Sequence, residues 1–444
     1  MSADKRLIKT AAETTLAESF AAAKTRLPGK GEIAVRREEA FRRFEQLGLP
    51  HRRVEEWKYT DLRALMRDAK PLAQAPDARS KQRAKTAGAI VAGVDARRIV
   101  FAEGAFVPEL SDLSQLEPGL SIASLARALA EGDADVVARL GAPGPAEGDV
   151  AAALNTAFMG DGAVIRVANG AAIVRPIHLV FAHGTDMATT IFTRSLVVIG
   201  DDAQVTLIES HEGPPGLDYQ VNAVLDLFVG DRARVDHVKL GVEGSSALHV
   251  ATLAATIGAD VEFNDFTFTI GGQVTRNQLF VRCAGESATV GLRGANLLKG
   301  RQHADTTLVL DHALPGCNSR EVFKSVLDDE SRGVFQGKII VRPGAQKSDA
   351  RMMTNALLLS EAAEADNKPE LEIFADDVQC GHGATAGALD ENLKFYLMAR
   401  GIPDGDAESL LIQAFVGEAV EAIKHDGVKE ALMEAVVRWL AARG

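Results

Sequence analysis

The sequence predicts a mainly β protein, a parallel β-solenoid held between an N-terminal helical region and a C-terminal helical domain. From about residue 160 the chain breaks into short runs rich in Val, Ile, Leu, Phe and Thr. Glycines punctuate them at Gly170, Gly200, Gly230, Gly258 and Gly285, spaced 30, 30, 28 and 27 apart. After four of these glycines a small or apolar residue comes three places on and an apolar one five places on: Ala203/Val205, Ala233/Val235, Val261/Phe263 and Ala288/Val290. The Gly170 segment keeps only the spacing. Finally, the strand chemistry stops near residue 388, where helical periodicity takes over. A near-constant period with strand chemistry means stacked rungs, each burying its inward side chains on the next. A β-sandwich with evenly spaced turns is the alternative that the period allows; the repeated phase favours the solenoid.

Residues 1–150 read as mostly helical with one short hairpin. VRREEAFRRFEQLGLP places Phe41, Phe44 and Leu47 on one face, with Gly48 and Pro50 as stop signals. Glu103-Gly104 between two apolar runs reads as a hairpin turn. SIASLARALA and the segment before LNTAF read as helices, separated by the loop GAPGPAEGD at residues 141–149. Residues 151–387 form the solenoid core. Residues 388–444 are helical again: a first helix carries Arg400 in its last turn, with Gly401 at its stop and Pro403 beyond. A second begins near Asp406 as N-cap and aligns Ile412, Val416, Val420 and Ile423. A third aligns Val428, Leu432, Val436 and Trp439. These helices either cap the solenoid or dock a partner.

The formal net charge of −12 is uneven. Residues 1–100 carry 22 Lys+Arg against 13 Asp+Glu, and the remainder 27 against 48. The acidic bulk argues against nucleic-acid binding as the main task. No apolar run reaches the ~20 residues that span a bilayer, and the first residues lack a secretory core, so a cytoplasmic protein without membrane contact is expected. The three cysteines, Cys283, Cys317 and Cys380, are odd in number and far apart, which fits a reducing compartment. There is no phosphate loop, dinucleotide fingerprint, nucleophile elbow or zincin helix, so self-contained catalysis is not expected.

Two segments carry ligand-type residues. In DDVQCGHGAT an extended backbone would point Cys380 and His382 to the same face, with Gly381 and Gly383 leaving room for a ligand or another backbone. Thiolate and imidazole suit zinc, copper(I) or iron–sulfur species, and equally a Cys–His nucleophile pair; a glycine-rich bend with an incidental cysteine is the bland alternative. HADTTLVLDHALPGCNS offers His303, Asp305, Asp311, His312 and Cys317 as a weaker metal set, since such residues are more often solvated on loops. His237 and His249 fall on the solenoid pattern and read as surface or satisfied core histidines. An enzyme acting on carbohydrate on a parallel β-helix is the rival class. With three Tyr and two Trp in the chain, and Trp57 and Trp439 outside the solenoid, a sugar-stacking groove is poorly supplied.

Several ordered blocks resemble the SufB/SufD family of iron–sulfur cluster assembly proteins. They are RRVEEWKYTDL (Arg52 to Leu62), ALNTAFMGDG (Ala153 to Gly162), GVFQGKIIVRPGAQKSDARMMTNALLLS (Gly333 to Ser360), KPELEIFADDVQCGHGAT (Lys368 to Thr385) and FYLMARGIP (Phe395 to Pro403). SufB-type members carry Cys-Asp-Ser before a Leu-Leu pair, where this chain has Thr354-Asn355-Ala356. They also carry an acidic–His–acidic triplet, where it has Cys380-Gly381-His382. The pattern therefore resembles the SufD side of the family. The resemblance implies a right-handed parallel β-helix that forms a heterodimer with SufB, and a C-terminal domain that docks the ABC-type ATPase SufC. The docking block would contribute Phe395, Tyr396, Arg400, Gly401, Ile402 and Pro403. It also implies a non-catalytic scaffold that handles ATP only through SufC and binds no cofactor tightly alone. Cys380 and His382 would contribute to a transient iron–sulfur cluster or iron site at the SufB interface, aiding iron delivery. Without SufB, an exposed solenoid edge makes a homodimer plausible. A purely structural role, with no ligand from this chain, is the third alternative.

Overall fold

The computed structural model describes residues 9–141 and 144–443. It has two sheets of ten and nine strands, and from Ala163–Val167 onward the strands alternate between them, each pairing in parallel with the one two places away in the chain. The rung register follows the sequence phase: Val205 pairs with Val235, Val235 with Phe263, and Phe263 with Val290. All four are buried in the space between the sheets, together with Ala203, Ala233, Val261 and Ala288. The chain is thus a two-faced parallel solenoid.

The recurring glycines are explained by how closely the turns stack. A Cβ on Gly285 would lie 2.0 Å from the Ala259 nitrogen, and one on Gly230 would lie 2.7 Å from the Asp201 nitrogen. The left-handed residue is the one two places later: Asp202, Arg232, Asp260 and Ser287 have φ of 57°, 57°, 54° and 59°. Acidic side chains tie the turns together. The Asp231 N–H donates to the Asp201 carboxylate at 2.9 Å, and the Ala259 N–H to that of Asp231 at 2.8 Å.

Helices cover the outer face of each sheet. On the nine-stranded side lie Ala11–Ala23, Glu32–Leu47 and Val150–Phe158. Thr10 and Glu13 form a capping box on the first. Phe20 stacks on Phe41 at 4.2 Å, and Phe158 on the strand residue Phe192 at 4.7 Å. Phe41 and Phe44 are buried as expected, but Leu47, in the last turn, is 49% exposed. Asp149 caps Val150–Phe158; part of the expected loop, residues 142–143, lies outside the described residues. Glu103 and Gly104 form the hairpin turn between Arg97–Ala102 and Ala105–Phe106, both with positive φ.

SIASLARALA is only half helical. Leu120–Ser124 is a strand, recruited by antiparallel pairing with Ala163–Val167, and the helix starts at Leu125 with Ser124 as cap. Strand pairing overrides local helix propensity there. Together with the hairpin, this strand closes the first end of the stack.

The ten-stranded sheet is covered by Asp404–Val420 and Asp426–Ala441. Ile412, Val416, Val420, Val428, Leu432, Val436 and Trp439 pack with Ile208, Val238, Phe266 and Leu297 of the sheet's outer face. The Lys324 ammonium sits 4.3 Å from the Phe415 ring centre and pairs with Glu418. The second helix begins at Asp404, behind Pro403, so Asp406 lies in its first turn rather than capping it. These helices cover a sheet face and leave the far end of the stack open. Among the described residues, the last strands, Glu364–Ile373 and Gln379–Gly387, each pair on one side only.

Candidate functional site

Cys380 and His382 stand on the last strand of the ten-stranded sheet. Cys380 is in register with Ala350 and His382 with Met352, both buried in the space between the sheets. Side chains of the same parity point the same way, so both face the solenoid interior at its open rung. Cys380 is half-buried and packs against the core, while His382 is exposed because, among the described residues, no strand stacks beyond it. Burial pushes the Cys380 thiol up, and the charges of Asp349 and Glu321 add to this. One row further in, Glu321 pairs with Met352, which pairs with His382. Burial pushes the Glu321 carboxyl up to about 8, against the pull of Ser319, Arg320 and Arg293.

The two last strands differ as edges. Glu364–Ile373 carries Glu364, Asp366, Lys368, Pro369, Glu370 and Glu372, a charged and proline-interrupted edge of the kind that resists pairing. Gln379–Gly387 reads QCGHGATAG, with no carboxylate, lysine, arginine or proline. An added Cβ at Gly381 would meet nothing within 4 Å. That edge is chemically open to another strand.

The sequence matches the SufBD protein N-terminal region over residues 13–179 and the SUF system FeS cluster assembly SufBD core domain over residues 181–415. It is 30% identical over 417 residues to the iron–sulfur cluster assembly protein SufD of Escherichia coli, covering 92% of this chain and 94% of that one. It is 32% identical over 406 residues to an iron–sulfur cluster assembly SufBD family protein of Synechocystis, covering 88% and 87%. The SufD of Bacillus subtilis is 28% identical over 294 residues, covering 64% of this chain and 66% of that one. The chain belongs to the SufBD family of iron–sulfur cluster assembly proteins. Within the family it is SufD-like, and the carbohydrate-enzyme alternative is not favoured.

The family blocks in the N-terminal half have visible structural work. Trp57, buried, lies under the Arg276 guanidinium at 3.8 Å. The Arg276 side chain pairs with Asp305, to which the Thr60 hydroxyl also donates, and Thr60 Oγ1 lies 2.8 Å from His303 Nε2. His303 and Asp305 therefore anchor the N-terminal region on the nine-stranded sheet, the sheet opposite that of Cys380. In ALNTAF, Asn155 donates to the Thr193 and Asn222 carbonyls at 2.9 Å each.

His312 lies elsewhere, its ring between the hydroxyls of Ser348 at 3.2 Å and Ser319 at 3.1 Å, with its pKa lowered by burial to about 4. Asp311 pairs outward with Arg342 at 2.8 Å. Cys317 is buried beside Cys283, a neighbour that lowers its pKa, and its thiol donates to the Gly285 carbonyl at 3.4 Å. His303 and Asp305 thus share the Thr60 setting while Asp311, His312 and Cys317 lie elsewhere, and among the described residues the five do not form one cluster.

His237 and His249 are buried core histidines rather than surface ones. His237 lies 2.7 Å from Asp265 and 3.2 Å from Glu209. Burial disfavours its charge, but these hydrogen bonds outweigh burial and raise it to about 9. On the C-terminal domain, Phe395 is 72% and Tyr396 54% exposed. Arg400 folds over the Tyr396 ring at 3.3 Å, and Gly401 takes φ 87°. Gly401 and Pro403 are exposed and Ile402 half-buried, leaving an aromatic surface at the end of Glu391–Met398. Sequence reasoning missed Glu321, whose strand context fixes its inward direction, and the pairing of Cys283 with Cys317, which only the turn geometry brings about.

Proposed function

We propose that this chain is a non-catalytic scaffold subunit of a cytoplasmic iron–sulfur cluster assembly complex. It pairs with a SufB relative through the open solenoid edge and contributes Cys380 and His382 to a nascent cluster held between the two chains. The observation that carries this reading is the last rung: an uncharged strand edge presents a half-buried thiol and an exposed imidazole inward, with no third ligand from a following strand. Strand addition at such an edge supplies main-chain hydrogen bonds, and the partner's side chains complete the ligand set. A thiolate and an imidazole suit iron–sulfur cargo or iron in transit. The exposed Phe395 and Tyr396 with Arg400, Gly401, Ile402 and Pro403 dock the SufC ATPase, which supplies ATP chemistry absent from this sequence. In the absence of SufB, the same edge supports pairing of two copies. Among the described residues no helix is long and apolar enough to cross a membrane.

The test is co-purification with SufB and SufC, anaerobic reconstitution with iron and sulfide, and absorption spectroscopy. The Cys380→Ala and His382→Ala chains are expected to enter the complex normally, while the cluster band falls sharply, most with both changes. A full cluster yield from the doubly substituted complex would overturn the ligand role and leave this chain a structural one.

A further inference from the structure

Deep in the solenoid, several rungs before the open end, lies a second set of ligand-type side chains that the assembly reading does not use. His211 is the last residue but one of the strand Gln204–Glu212, Glu243 follows Arg234–Val242, and His249 is the second residue of Leu248–Ile257. One donor atom from each lies within 4.8 Å of the others. The three residues are 2%, 6% and 0% exposed. Glu243 Oε1 lies 2.7 Å from His249 Nδ1, and the Tyr219 hydroxyl donates to Oε2 at 2.5 Å while accepting from the Gly244 N–H at 2.9 Å.

His211 is the unexplained member. Its ring stacks on Phe181 at 4.7 Å and meets His249 edge-on at 4.8 Å. Yet its Nε2 is buried with no hydrogen-bond partner. A buried imidazole nitrogen left unpaired is costly and calls for a ligand. His211 also lines two cavities of about 20 Å³ each, room for about one water or ion.

We propose that His211, Glu243 and His249 form a buried site for a divalent first-row transition ion, with Zn²⁺ as its probe. Two imidazoles and a carboxylate are a donor set that zinc and ferrous iron both accept. The surroundings orient it. Tyr219 fixes the second carboxylate oxygen, and Lys239, held by Asn277 at 2.8 Å, lies 3.3 Å from the far nitrogen of His249. Closing on a four-coordinate zinc draws the donors to separations of about 3.4 Å, a movement that the cavities beside His211 allow.

The site is independent of the open rung, so it is tested in the full chain carrying Cys380→Ala and His382→Ala. After chelator treatment the protein is titrated with Zn²⁺ against a chromophoric competitor, and with Co²⁺ for its visible bands. One tight equivalent and a Co²⁺ spectrum of low coordination number are expected. His211→Phe keeps the stacked ring without a ligand, and Glu243→Gln keeps the shape without the charge; each is expected to weaken zinc roughly 100-fold or more, beyond the 10–100-fold typical of outer partners. Absence of a tight equivalent, or one indifferent to both changes, would overturn the site. Should either variant misfold, the Co²⁺ spectrum of the parent chain decides: no visible band overturns the proposal.

Discussion

In the middle of the solenoid His237 is clasped by Asp265 and Glu209, and His249 by Glu243 and Lys239, whereas at the last rung His382 faces solvent and Cys380 closes the core with no strand beyond it. Both sets face inward by the same strand parity. They differ in whether a next rung exists. In the middle, polar side chains pointed into the solenoid such as these find their partners within the chain, His211 Nε2 being an exception, because water cannot reach them. At the end the missing rung is also the missing partner, so the same chemistry is left available to another molecule.

The sharpest way to break this comparison is to remove a partner in the middle. His237→Leu leaves Asp265 and Glu209 buried without their cation, and destabilisation of about 3–5 kcal/mol is expected, read by urea unfolding. A loss under about 1 kcal/mol would mean that the middle rungs are wet and that burial does not distinguish them from the end.

A second test uses Glu321, the inward carboxyl between the two regimes. Its folded pKa, raised by burial to about 8, means that the folded chain keeps a proton the unfolded chain has lost. The stability tied to that proton is fully present below the unfolded carboxyl range, near pH 4.5, and is lost as pH rises through 8. Glu321→Gln is neutral near pH 4.5. At pH 8 it stabilises by a few kcal/mol, on the order of 3. Equal stability of the two proteins at both pH values would place water, and hence the open end, as deep as this row.

The contrast between these regions was only half legible in the sequence. The rungs were, because Gly200, Gly230, Gly258 and Gly285 are required by close turn stacking, and Ala203/Val205 and their counterparts repeat the inward phase. The pairing of Cys380 with His382 on one face was legible from their spacing alone. The closing strand Leu120–Ser124 was not, because its local pattern is that of a helix start and only Ala163–Val167 makes it a strand. Nor could the anchoring of His303 and Asp305 be read, since their partner Thr60 lies 243 and 245 residues away. The His211, Glu243 and His249 grouping depends on stacking consecutive rungs at one end, which a linear pattern of single histidines does not reveal.

The smallest expected effect is the most discriminating. If the last rung is held back for a partner, its two ligand-type residues contribute little to this chain's own fold. His382→Ala removes an exposed ring, and its unfolding free energy is expected to stay within about 0.5 kcal/mol of the parent. Cys380→Ala, half-buried against the core, is expected to cost no more than about 1 kcal/mol. The same unfolding curves used for His237→Leu measure both. A loss approaching that of His237→Leu would show that the last rung is satisfied within the chain, and that its cysteine and histidine are not kept for another molecule.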